Sequence, residues 1–486
     1  MRRTLASWAA VVAALAALAA ALPPIAAVSV ALAVGSAVWR WSEAALELTV
    51  FAVLAIRPSL DVFSTRRLGR SEFAVNPAVV FGVAVLWVAA VLALTRARTG
   101  RPLWPSRALL RAHWWLFAAY GIAFVSGARL YGATGAATGV RELIRVASIL
   151  AAFLMVLWWV EVDPRRYARG WVYLVLGTVV PVATALMQWA TGTGDRYAVG
   201  LNRLQGTFSH PSSLGPYLVP FILFALGGLA HSRRSTQLAR AAWAAGLTWL
   251  VVQTYSRTAL LVLVSGLAVL PFLNARRFGW AGLVRGLVVV VLVAGLGWWV
   301  AGDMIARRFA DISLGPALEA ARYGGAENSF IWRLINWGGL ISLGLEHRYT
   351  GHGAGMTTVQ NPLVDQNTGI PFNAHDDFVR FFFEAGGLGL LCYLVYGALF
   401  CAWIVARART GSAERAAGAY AVAAAWIALF FLTAGTAELS LQTAVQYELY
   451  GMAGLLNTAD GSAVIVGEPR APRSSAGLSP SLTTCL

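Results

Sequence analysis

A histidine and two aspartates, in Asn373-Ala374-His375-Asp376-Asp377, stand immediately before an apolar run that starts at Phe378. Imidazole titrates near neutrality and can take a proton from a hydroxyl, which makes His375 a candidate general base at the rim of a membrane segment. Asp376 beside it can orient the ring or raise its basicity. The same residues also suit a plain polar helix start, where carboxylates favour the N-terminus. Three arginines occupy comparable polar breaks. Arg203 lies in Asn202-Arg203-Leu204-Gln205-Gly206-Thr207-Phe208-Ser209-His210-Pro211, Arg257 in Thr254-Tyr255-Ser256-Arg257, and Arg333 in the stretch upstream of His375. A guanidinium fork matches phosphate oxygens in pairs, although a lone arginine at a membrane end also snorkels to the interface. Together, these arginines and a facing base suit the departure of a phosphate-bearing group opposite an activated hydroxyl. His210 and His352 are secondary candidates. Gly351-His352-Gly353-Ala354-Gly355 is no dinucleotide fingerprint, because no strand–helix unit surrounds it; it reads as a tight turn or a close backbone approach. Neighbours such as His375, Asp376 and Asp377 rarely converge on one ion. Cys392, Cys401 and Cys485 have no metal-ligand spacing, so neither a metal nor a cofactor is expected.

The elements that position these residues are membrane helices. The chain is 58% hydrophobic and 12% charged, with a mean hydropathy of +0.65, and apolar runs of about 20 residues recur along it. This composition predicts an all-α polytopic membrane protein of about twelve to fourteen transmembrane helices with one large extracytoplasmic loop. All 38 basic residues are arginine, and the formal charge is +16. The arginines are spread over connectors and form no continuous patch, which argues against nucleic acid and for contact with membrane lipids. The reading divides the chain into N-terminal helices over 1–113, a transmembrane core over 114–301, the loop over 302–377, C-terminal helices over 378–456 and a disordered tail over 457–486. Residues 1–22 read as the first membrane helix rather than a cleaved leader, because apolar runs resume just after Pro23-Pro24.

Connectors 95–113, 162–170, 231–240, 274–286 and 406–415 are arginine-rich and alternate along the chain, which assigns them to the cytoplasm. Segments 128–141, 191–213, 254–257 and 302–377 then face outward. Connector 57–73 is basic yet falls on the outer side, which points to an interfacial role or a miscounted early span. Within the large loop, 328–345 has helical apolar spacing and reads as an amphipathic helix able to lie on a membrane surface. Gln442, Gln446 and Glu448 share part of one face on the last span, where they line a cavity or pack helices together.

The order of these features resembles the O-antigen ligase/polymerase family of bacterial envelope glycosyltransferases. The match rests on Arg203 through Pro211, on Ser256-Arg257, on Arg333-Leu334-Ile335-Asn336-Trp337 followed by Gly351-His352-Gly353, and on His375-Asp376-Asp377-Phe378 running into Phe383-Glu384-Ala385-Gly386-Gly387-Leu388-Gly389. It spans roughly residues 110 to 450. It implies a metal-independent, inverting transfer of glycan from an undecaprenyl-diphosphate-linked donor to a glycan or lipid-linked acceptor, at the outer face of the bacterial cytoplasmic membrane. On that pattern Arg203 and Arg257 hold the diphosphate, Arg333 adds a contact, and His375 is the base. Two positions depart from it: Asp376 and Ser212 stand where the family usually has asparagine. The rival class is a transporter or flippase of lipid-linked glycan, which would place charges at mid-membrane depth.

Overall fold

The computed structural model describes residues 35–63, 77–163, 165–196, 202–229, 234–310, 329–364, 371–410, 412–432 and 439–457. Helices run over Ser42–Phe51 (α1), Pro77–Arg98 (α2), Arg107–Val162 (α3), Arg166–Thr191 (α4), Pro211–Gly227 (α5), Arg234–Gln253 (α6), Arg257–Ala310 (α7), Ser329–Gly344 (α8), Thr357–Gln360 (α9), Asp377–Thr410 (α10), Ala413–Trp426 (α11) and Thr443–Leu455 (α12). The strands among the described residues are the antiparallel pair Asp195–Arg196 and Asn202–Arg203. The fold is that of an all-α polytopic membrane protein.

Six helices among the described residues are long and apolar enough to cross a membrane: Val80–Arg98, Arg107–Val162, Arg166–Thr191, Arg257–Ala275, Asp377–Arg409 and Ala413–Leu432. The 56 residues of α3 would extend about 84 Å as a straight helix, far more than one bilayer. The chain breaks at Gly132, and Phe124 packs back onto Gly139, so α3 is a hairpin. Likewise α7 breaks at Gly279 and folds Gly286 against Pro271. Shorter apolar helices at Pro211–Gly227 and Gly279–Leu292 add further membrane-like segments. The first expected span, over 1–22, and the tail beyond Asn457 lie outside the described residues, as does most of connector 57–73. Helix α7 continues to Ala310, past the position where the sequence suggests that the large loop begins.

The core is unusually aromatic. Phe153, Tyr396, Phe400, Trp426, Phe430 and Tyr450 form a buried run of stacked and edge-on rings joining α3, α10, the π-helical turn after α11, and α12. Aromatic pairs favour such offset and edge-on geometries by about 0.5–1.5 kcal/mol each beyond area burial. One end of the bundle carries ion pairs between connectors: Arg96–Glu161, Arg166–Glu43, Arg169–Glu47 and Arg240–Glu414. The opposite end carries the polar loops.

Candidate functional site

Several of the candidate residues sit at or near a helix N-terminus. Arg257 opens α7, Arg333 lies in the first turns of α8, His210 caps α5 and His375-Asp376 precede α10. Unpaired backbone N–H groups give these ends partial positive charge, so a cluster of them favours anions.

The Arg203 loop is docked by backbone and buried side chains. The Gln188 amide brackets Gly206, accepting from its N–H at 2.9 Å and donating to its carbonyl at 3.1 Å. Leu204 N–H donates to the Gln253 carbonyl at 3.2 Å. Arg203 is buried; its Nε donates to the Thr254 carbonyl at 3.2 Å, and its guanidinium lies 3.8 Å from the Asp195 carboxylate. The loop bearing Arg203 therefore rests directly on the break that bears Arg257. Tyr255 in that break has φ 48°, a backbone region that non-glycine residues seldom occupy.

His375 is held from the other side by α8. Asn336 Nδ2 donates to the Asn373 carbonyl at 2.8 Å, and Trp337 Nε1 donates to the Ala374 carbonyl at 2.9 Å. Trp332, on the same helix, meets the His375 ring edge-on at 5.3 Å. This explains the Arg333-Leu334-Ile335-Asn336-Trp337 motif, whose polar members grip the backbone that presents His375. His375 itself has φ 54°, a strained geometry of the kind that clusters at functional sites. Asp376 Oδ1 accepts from the Val379 N–H at 2.9 Å, capping α10. Asparagine caps equally well, so either residue at this position serves the helix start.

The charges of the cluster act on one another. Burial first, then Arg333 and His210, push the His375 imidazole down to about 4. Burial pushes the Asp376 carboxyl up to about 6, against the hydrogen bonds from Val379 and Phe378. His210 is lowered by burial, then by Arg203, with Arg333 adding to it and Asp195 opposing. The structure therefore brings Arg203, His210, Arg333, His375 and Asp376 into one electrostatic neighbourhood, and places Arg257 beside the Arg203 loop.

His352 has a different setting. Its Nδ1 lies 2.7 Å from the Tyr131 hydroxyl and its Nε2 2.9 Å from the Leu343 carbonyl. Carbonyl oxygen only accepts, so Nε2 carries the proton and Nδ1 accepts from tyrosine. The ring also stacks on Phe383 at 4.6 Å. Both nitrogens are thus engaged in pinning α8 and the glycine loop to the α3 hairpin. The glycine cluster lies against a break in α10 at Gly386, where φ is +68°. There His352 N–H donates to the Phe383 carbonyl and Gly353 N–H to the Glu384 carbonyl, both at 2.8 Å, and Gly387 N–H donates to the Arg348 carbonyl at 2.7 Å. A Cβ at Gly386 would collide with the Tyr349 carbonyl carbon, and one at Gly353 with Gly127. Close backbone approach therefore accounts for both glycine motifs.

Sequence reasoning passed over a buried ionic network immediately beneath His375. Arg380 donates to Glu142 at 2.7 Å, to Glu384 at 3.1 Å and to the Ser440 hydroxyl at 2.8 Å. Arg145 also pairs with Glu142, Thr357 donates to Glu384, and Asp377 accepts from Ser440. The available signal was the i,i+4 pair Arg380/Glu384 and the i,i+3 pair Glu142/Arg145, both set in apolar runs. A cavity of ≈ 30 Å³ lies beside this network, lined by Tyr120, Tyr393, Ser440 and Gln446 among others. None of the candidate arginines or histidines lines it. Among the described residues no group of three His, Cys, Asp or Glu is placed to hold a metal ion.

Fold and site thus define a polytopic helical membrane protein with an anion-favouring cluster around one strained histidine. Residues 241–394 match the family model described as O-antigen ligase. That match agrees with the resemblance drawn from the motifs over the stretch containing Arg257, Arg333, His352 and His375, and it supports glycan ligation or polymerisation as the class of activity. Arg203 and His210 precede the matched stretch. No curated protein matches the chain.

Proposed function

We propose that the chain transfers glycan from an undecaprenyl-diphosphate-linked donor to a sugar hydroxyl of a glycan or lipid-linked acceptor, at the outer face of the bacterial cytoplasmic membrane. The observation that carries this reading is the convergence of Arg333 and His210 on His375, with Arg203 acting in turn on His210. In the reaction His375 takes the proton of the acceptor hydroxyl, and the oxygen attacks the anomeric carbon from the face opposite the diphosphate. The bond from the anomeric carbon to the phosphate oxygen breaks, and its electron pair leaves on the diphosphate. Attack from the opposite face inverts the anomeric centre. Arg203, Arg257 and Arg333 hold the charge that develops on departure, a role for fixed donors in a site poor in water. Asp376 fixes the helix start that carries His375. The residues named suffice for this chemistry without a metal.

Buried charge at Glu142, Arg380 and Glu384, with half-buried Arg145 beside them, is the observation that favours the transporter or flippase reading. Those charges are paired with one another, however, and Arg380 and Glu384 lie within the first two turns of α10, as expected of a scaffold under the loop.

The test is a deletion strain complemented with His375→Ala, Arg203→Ala or Arg257→Ala at matched expression. The transferase reading predicts accumulation of lipid-linked glycan with loss of surface glycan. Full complementation by all three variants would overturn it. The length distribution of surface glycan in the wild type distinguishes polymerisation from ligation.

A further inference from the structure

His210 holds a position distinct from that of the other histidines. Both hydrogen bonds of its ring fall on Nδ1, which lies 2.7 Å from the Ser212 hydroxyl and accepts from the Ser212 backbone N–H at 3.2 Å. A backbone N–H only donates, so Nδ1 is unprotonated and the neutral ring carries its proton on Nε2. The residue stays open to solvent although part of its ring is desolvated, and among the described residues Nε2 makes no hydrogen bond. The imidazole interacts electrostatically with Arg203, Arg333 and His375. Ser212, where the family usually has asparagine, supplies the second contact that fixes this tautomer.

We propose that His210 offers its Nε2–H as a neutral hydrogen-bond donor to the departing diphosphate, on the same side as Arg203 and across from His375. This rests on the transferase reading given above. The site then holds two histidines of opposite duty. His375, pushed toward its neutral form, receives the acceptor proton. His210, with its tautomer set by the cap, keeps its own proton and shares it as a hydrogen bond with the phosphate oxygen that receives the electron pair. No proton is transferred from His210, so the balance of the reaction is unchanged. A neutral donor also avoids adding a third positive charge beside Arg203 and Arg333 before the donor lipid arrives.

Capping and donation can be separated. Asparagine caps a helix through Oδ1 as well as the best residues do, but its amide ends short of the position of the imidazole Nε2–H, whereas alanine has neither the cap nor the donor. The full-length chain, reconstituted in nanodiscs, is titrated with undecaprenyl diphosphate, and transfer is followed in cells as loss of lipid-linked glycan. His210→Asn is expected to melt like the wild type, to bind undecaprenyl diphosphate about tenfold more weakly and to slow transfer by about 10²-fold, the usual cost of one anion-hole donor. His210→Ala is expected to show the same losses together with a lower melting temperature. If His210→Asn binds and transfers like the wild type while His375→Ala is inactive, the donor role is overturned and the transferase reading stands. If His375→Ala and Arg203→Ala are also fully active, the transferase reading itself has failed.

Discussion

At His375 the surroundings favour the neutral ring: burial, Arg333 and His210 together bring it to about 4. A base must be unprotonated to act, so the acid limb of kcat/KM, which reports the free enzyme, is expected near pH 4 rather than near 6.5. A bound diphosphate adds negative charge beside Arg333 and favours the imidazolium, so the acid limb of kcat, which reports the complex, is expected at higher pH. Arg333→Gln removes a repelling cation and should move the free-enzyme limb upward while weakening donor binding. Asp376 titrates at about 6 and would blur the profile. Measurement in an Asp376→Asn background, which keeps the helix cap, isolates the histidine. A wild-type limb at 6.5 that ignores Arg333→Gln would refute the assignment of His375 as the base.

The elements explain why a loop histidine can be held so firmly. Helix α8 grips the backbone ahead of His375, while the glycine loop closes over the break in α10, and Arg380 ties α10 to α3 and Ser440. Arg380→Leu would leave buried Glu384 with only the Thr357 hydroxyl and Glu142 with only Arg145, at a cost of about 3–5 kcal/mol. Adding Glu142→Gln and Glu384→Gln to that variant removes the orphaned charges and should recover much of the loss; thermal unfolding in detergent reads both steps. The polar breaks were legible in sequence because arginines and histidines interrupt apolar runs at positions such as Thr254–Arg257 and Asn373–Asp377. The loop helix was legible from its spacing: 328–345 was expected and Ser329–Gly344 is found, with Leu334, Ile341 and Leu345 exposed along one side. The Arg380 network was not legible, because whether Glu142 meets Arg380 depends on how the α3 hairpin docks on α10. Nor could the text of the chain reveal that both nitrogens of His352 are spent, since its partners Tyr131 and Leu343 are fixed only by tertiary packing.

At the scale of the whole molecule, the contacts between connectors sort into two groups that follow the alternation of charge along the chain. The arginine-rich connectors pair with one another through Arg96–Glu161, Arg166–Glu43, Arg169–Glu47 and Arg240–Glu414. Such exposed pairs contribute at most about 1 kcal/mol each, so their value here is as markers of which ends share a side. The other group joins Thr207 to Pro58 at 3.1 Å, Arg203 to Thr254, and Tyr131 to His352. Connector 57–73, basic yet counted as outer, thus touches the same end as the Arg203 loop. Its Arg57 is spent on Asp61 at 2.6 Å and on the Tyr447 ring. This sorting predicts opposite labelling from the two ends. In a variant with Cys392, Cys401 and Cys485 replaced by serine, a cysteine at Thr193 should react in intact cells with a maleimide that cannot cross the membrane. One at Thr99, exposed on the arginine-rich side, should react only after the membrane is opened. Labelling of Thr99→Cys in intact cells would invert the molecule, place the histidine cluster on the cytoplasmic side, and with it exclude a donor whose glycan is presented outside.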